Sequence, residues 1–147
     1  MNLLRRWEMW TEVDLVLLEK NNMKITAILA MTEKRVIGRD NELAWHIPED
    51  LVHFKNLTLG QVVIMGRNTF FSIPEKFRPL SGRRNIVLTR EKIDNIECFS
   101  GISEMLRSLE NEQRKIFVIG GASLYNQFFE KKLIDSVELT LLKNDFS

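Results

Sequence analysis

From Met23 onward, short apolar runs alternate with stretches of helical spacing, and this alternation restricts the fold more than any other property of the chain. The runs cover residues 25–31, 62–65, 85–88, 116–119 and 137–142. Several are apolar throughout, as strands covered on both faces are. Between them, residues 48–57 open with a proline at a first-turn position, which favours a helix start. Ile102, Met105, Leu106 and Leu109 form a helical stripe, and a further helix is predicted over residues 123–130, after a Gly-Gly pair. Strand and helix in repetition predict an α/β fold, a three-layer sandwich with a mostly parallel central sheet flanked by helices. At 147 residues there is room for one such domain.

Composition narrows the function classes. Twenty-one Lys and Arg stand against twenty Asp and Glu, so charge gives no case for nucleic acid or an anionic membrane as the main partner. Cys98 is the only cysteine and His46 and His53 the only histidines. An intrachain disulfide is excluded, no metal site is expected, and a reducing compartment, the cytoplasm, is the expected location. Residues 1–22 carry Trp7, Trp10, Val13 and Leu17 at roughly helical spacing. The apolar run at residues 15–18 is too short for a signal core or a membrane span. This segment reads either as a non-functional extension or as a docking helix, and the domain is expected over residues 23–147.

Three stretches carry candidate chemistry. On a helix starting near Pro48, Asp50, Leu51, Phe54 and Leu57 share a face. Asp50 there is either a carboxylate in apolar surroundings, with a raised pKa suited to proton transfer, or a charge favouring the helix dipole. Spacing alone leaves both open. The second stretch ends a buried run in Gly66-Arg67, with a helix opening at Asn68 or Thr69. The third ends another in Ile119-Gly120-Gly121, with Ala122, Ser123, Leu124 and Tyr125 following. Leu88-Thr89-Arg90 is a further strand end. Backbone N–H groups at helix starts, with arginine or threonine beside them, suit a polyphosphate, and ligands of open α/β sheets sit at the carboxyl ends of the strands.

The ordered blocks make the chain similar to dihydrofolate reductases. They comprise Ala30, Val36-Ile37-Gly38, Leu43 to Lys55, Ile64 to Phe70, Ser72-Ile73, Arg78-Pro79-Leu80, Gly82 to Asn85, Val118 to Tyr125 and Leu139-Thr140. The resemblance implies NADPH-dependent reduction of 7,8-dihydrofolate to tetrahydrofolate, in support of one-carbon metabolism and thymidylate synthesis. By that resemblance Asp50 holds the pterin and promotes protonation at N5, while hydride reaches C6. Thr140 bonds Asp50, Trp45 supports a water, and Leu43 lies in the loop that closes over the nicotinamide. Leu51, Phe54 and Ile73 line the pterin and aminobenzoyl site, and Arg83 pairs with the glutamate α-carboxylate. Arg67, Thr89 and Arg90 grip the 2′-phosphate side of NADPH, Thr69, Gly121 and Ala122 lie near its pyrophosphate, and Ala30, Ile37 and Tyr125 flank the nicotinamide. Gly38, Gly66, Asn68, Leu88, Ile119, Gly120, Ser123 and Leu124 complete the cofactor set. Antifolate-type inhibitors are the further small-molecule partners, and the complete family member is expected to be a monomer.

Three departures accompany the resemblance. Ala44 replaces the proline usual before the tryptophan, and the connection from Ser72 to Phe77 is longer than in the shortest bacterial members. After Leu142 the family chain continues through an acidic loop into two further antiparallel strands, so a truncated domain, weakly stable, aggregation-prone and poorly active, is the expectation. The competing readings are a non-catalytic NADP-binding module or degenerate copy, and a related reductase of riboflavin synthesis. Asp50, following Trp45 and preceding Phe54, favours the pterin over the latter.

Overall fold

A computed structural model describes residues 23–32 and 48–142, with the side chains of residues 30–32, 48–51 and 140–142 outside that description. The elements run β1 (Ile25–Thr32), α1 (Pro48–Thr58), β2 (Val62–Gly66), α2 (Arg67–Ser72), a 3-10 turn (Glu75–Phe77), β3 (Arg84–Leu88), β4 (Glu97–Phe99), α3 (Ile102–Ser108), β5 (Ile116–Val118), α4 (Ala122–Glu130) and β6 (Ser136–Leu142). Among the described residues six strands form one sheet in the order β4-β3-β2-β5-β1-β6, and each described pairing is parallel.

The fully apolar runs behave as two-sided strands. Val62 and Ile64 enter one core with Ile25, Ile86, Ile116 and Val118, against α3 and α4. Val63 and Met65 enter the other with Val87 and Phe117, against Phe54 of α1 and Phe70 of α2. Alternate residues of β2 therefore feed opposite cores, which makes three layers. The stripe Ile102, Met105, Leu106 and Leu109 is buried, as are Leu124 and Phe128 one turn apart on α4. At the far edge, β6 pairs with β1 through Thr32↔Leu142, while Val137 and Leu139 are about half exposed.

The opposite edge is tied by charge. Arg84 donates to both carboxylate oxygens of Glu97 at 2.9 and 2.6 Å and to Glu112 at 3.0 Å. Arg114 donates to Glu112 at 2.6 and 3.0 Å, so two guanidiniums converge on one carboxylate that is 9% exposed. The Arg114 hydrogen bond, with Arg84 adding to it, holds the Glu112 carboxyl down at about 2 against its ordinary 4.5. A carboxyl lowered on folding stabilises above its unfolded pKa, and that stability is lost as pH falls through the folded one. Glu112→Gln is expected to cost about 1–2 kcal/mol at pH 7. Urea unfolding from pH 7 downward checks this, because the gap to the unsubstituted chain closes below about pH 4.5 and vanishes towards pH 2.

Candidate active site

The sheet order creates the site. β2 and β5 are neighbours, but the chain leaves β2 for β3 on one side and β5 for β6 on the other. Their following helices, α2 and α4, pack on opposite faces, so a crevice opens between the two helix starts, the usual ligand position in such sheets. The Gly66 N–H donates to the Gly120 carbonyl at 2.8 Å and joins the two turns. A cavity of about 230 Å³ follows, lined by Gly66, Arg67, Asn68, Thr69, Leu88, Gly121, Ala122, Ser123, Leu124 and Gln127.

The cavity wall suits a phosphate-bearing cofactor. Neither Gly66 nor Gly121, the caps of α2 and α4, offers a side-chain hydrogen bond to its helix start. Thr69 is buried, and among the described residues its Oγ1 is the buried side-chain polar atom without a partner. A hydroxyl in that condition stands ready to donate to an acceptor supplied from outside, and Arg67 adds a cation. Gly120 makes room here. It sits at φ +128°, and a Cβ there would come within 3.4 Å of Thr69 Oγ1 and 3.5 Å of the Tyr125 hydroxyl.

Tyr125 lies beneath this wall, its hydroxyl donating to the Ile28 carbonyl of β1. Burial pushes the phenol well above its ordinary pKa, so it stays a donor. Thr89 and Arg90, expected at the phosphate, do not line the cavity. The Thr89 N–H donates to the Phe99 carbonyl at 2.9 Å, which continues the β3–β4 pairing one residue past β3. Ile119 packs partly buried against the second core, and its N–H bonds Ile64 across the β2–β5 pair at 2.9 Å.

A second cavity, about 420 Å³, lies on the α1 face and is lined by Phe54, Lys55, Ile73, Pro74, Lys76, Phe77, Pro79, Leu80, Ser81 and Arg83. Phe54, Ile73 and Leu80 form its buried apolar floor. Arg83 is fixed by donation from Nη1 to Thr58 Oγ1 at 3.1 Å and from Nε to the Ser81 carbonyl at 3.0 Å. Burial lowers its pKa somewhat, yet a guanidinium starting from 12.5 keeps its charge at neutral pH.

Ile37, Gly38, Leu43 and Trp45 lie outside the described residues, as do the side chains of Ala30, Asp50, Leu51 and Thr140. The backbone still places several of them. Asp50 is in the first turn of α1, and Ala30 pairs in register with Thr140. His53, one turn after Asp50, approaches Glu138, two residues before Thr140, at 3.9 Å. That contact brings the middle of α1 beside β6.

A family model described as dihydrofolate reductase matches residues 24–147. The chain belongs to the dihydrofolate reductase family. The dihydrofolate reductase of Mycobacterium leprae is 46% identical over 101 residues, which span 67% of this chain and 61% of that enzyme. That of Bacillus subtilis is 40% identical over 83% of this chain and 71% of its own length. Among solved structures, Enterococcus faecalis dihydrofolate reductase complexed with NADP(H) and RAB-propyl superposes with a TM-score of 0.72 at 28% identity, covering 84% of this chain and 73% of that one. Schistosoma mansoni dihydrofolate reductase gives 0.73 at 28% identity, covering 85% and 76%. Among the described residues no helix is long and apolar enough to cross a membrane.

Beyond the residues assigned from sequence, Thr58, Asn85, Lys76, Phe77 and Gln127 belong to these walls or brace them. Asn85 is the strongest case. Its side chain accepts from the Leu80 N–H at 2.9 Å and donates to the Leu80 and Arg83 carbonyls at 2.9 Å each. An asparagine inside a strand is disfavoured, and that misfit was the available signal. Asn85→Ala leaves those half-buried groups without this partner and should cost about 1–3 kcal/mol. Thermal unfolding reads the stability loss, and dihydrofolate affinity should fall more than NADPH affinity because Arg83 sits in the loosened loop.

Proposed function

We propose that this chain reduces 7,8-dihydrofolate to 5,6,7,8-tetrahydrofolate with NADPH. The observation that carries the reading is the pairing of a phosphate-suited cavity at the β2–β5 crevice with an apolar cavity whose wall includes a fixed guanidinium. Thr69, the N–H groups opening α4, and Arg67 hold the phosphates of the cofactor; when bound, it supplies hydride to C6 of the pterin. Phe54 and Ile73 enclose the aminobenzoyl portion of the substrate, and Arg83 takes the glutamate α-carboxylate.

Asp50 holds the 2-amino group and N3 of the pterin, and its negative charge favours the form protonated at N5. Thr140 positions that carboxylate, and the His53–Glu138 approach between α1 and β6 supports the pairing. By the family resemblance Trp45 supports a bound water beside the pterin, Leu43 belongs to the loop over the nicotinamide, and Ala30, Ile37 and Tyr125 flank the nicotinamide. The only cysteine, Cys98, is a free thiol, in keeping with a reducing, cytoplasmic setting. Antifolate-type compounds compete for the second cavity.

The deciding experiment is consumption of NADPH by the purified chain with and without dihydrofolate. Dihydrofolate-dependent consumption is the expected result. NADPH binding without turnover would instead identify a non-catalytic NADP-binding module.

A further inference from the structure

We infer that Glu91 sets the cofactor selectivity of this chain, holding its preference for NADPH over NADH below the level that Arg67 alone would give; the inference rests on the cofactor reading above. Arg67 lines the β2–β5 cavity, and two groups engage its guanidinium. The guanidinium lies over the Phe71 ring, with Cζ 4.7 Å from the ring centroid. Glu91 takes an edge, with its Oε2 3.3 Å from Nη2.

The two partners differ in what they do. Phe71 is also held by Arg78, whose guanidinium lies 5.0 Å from the same ring and donates to the Ile73 carbonyl at 2.8 Å. The ring is thus braced by the end of α2 and orients Arg67 without help from Glu91. As an organiser Glu91 is redundant, and an exposed ion pair of this kind adds little stability. Its charge remains. An anion approaching Nη2 must displace the Glu91 carboxylate or share the guanidinium with it.

Glu91 is also well placed to act on the sugar. Its N–H donates to Thr89 Oγ1 at 3.2 Å, which fixes its backbone just beyond the carboxyl end of β3. A carboxylate accepts a hydrogen bond from a ribose 2′-hydroxyl and repels a 2′-phosphate. The cation that favours NADPH and the acceptor that favours NADH therefore meet at one point. With the Glu91 side chain 76% exposed, solvent screens the repulsion, and an effect of about threefold to tenfold is expected at low salt.

Calorimetric titration with adenosine 2′,5′-bisphosphate and with adenosine 5′-monophosphate tests this on the full chain. Glu91→Gln should tighten the bisphosphate about threefold to tenfold at low ionic strength, less in high salt, without tightening the monophosphate. If Glu91→Gln binds the bisphosphate no tighter than the unsubstituted chain, while Arg67→Ala still loses it, Glu91 has no such role and the cofactor site stands. If the bisphosphate binds no better than the monophosphate and Arg67→Ala changes nothing, both readings fall.

Discussion

Asp50→Asn is expected to lower dihydrofolate turnover about a hundredfold or more at pH 7 while NADPH binding survives. Asparagine keeps the size of the side chain and much of its hydrogen bonding, so the pterin still finds its place. The negative charge is lost, and with it the preference for a pterin protonated at N5. Asp50 stands in the first turn of α1, on the face of the sheet that carries the second cavity, and the phosphate-suited cavity lies at the starts of α2 and α4. Cofactor binding is thus separable from the proton step. Lowering the pH should recover part of the rate, because solvent then protonates N5 without the carboxylate. Steady-state rates between pH 5 and 8, with NADPH affinity measured alongside, give the result. A rate at pH 7 equal to that of the unsubstituted chain would move the proton chemistry away from Asp50.

The apolar runs made the fold legible because β2 and β5 are covered on both faces, which leaves no polar alternation to confuse them with amphipathic helices. β4 was not legible. Glu97, Cys98 and Phe99 form three residues at a half-exposed edge, with no apolar run to mark them. They pair with β3 in register from Ile86↔Glu97 to Leu88↔Phe99, and the Arg84–Glu97 bridge sits at that border. Such a strand is specified by its partner rather than by its own pattern.

The site shows the same division. Gly66-Arg67 and Gly120-Gly121 read as two separate strand ends in the sequence, each consistent with an ordinary tight turn. What joins them is the adjacency of β2 and β5, strands separated by about fifty residues, and no local pattern encodes that order. Thr89-Arg90 is a third such end, next to Leu88 of the cavity wall, and the Thr89 N–H bonds the Phe99 carbonyl at the end of β4. Asn85 and Thr58 escaped notice because they touch the ligand walls through Arg83 and its loop, and a side chain that acts through another leaves little trace in spacing.

Arg67 carries the second large effect. The 2′-phosphate is the only group that separates NADPH from NADH, so a cation reserved for it must show itself in the difference between the two. Removing one charge-assisted contact to a phosphate costs about 1.5–3 kcal/mol, a loss of about tenfold to 150-fold in NADPH affinity. Arg67→Ala should show that loss for NADPH and little change for NADH. The fold should tolerate the change, since Arg67 is an exposed first residue of α2, while Phe70, three residues on, carries the packing of that helix. Phe71 keeps its stacking on Arg78, so the end of α2 retains its brace. Lysine at position 67 restores charge but not the flat guanidinium that stacks on Phe71, and should recover only part of the preference. Fluorescence titrations of both cofactors against the three proteins make the comparison. An equal loss for NADPH and NADH in Arg67→Ala would place Arg67 against a part that the two cofactors share, and would require the 2′-phosphate to be held by another cation.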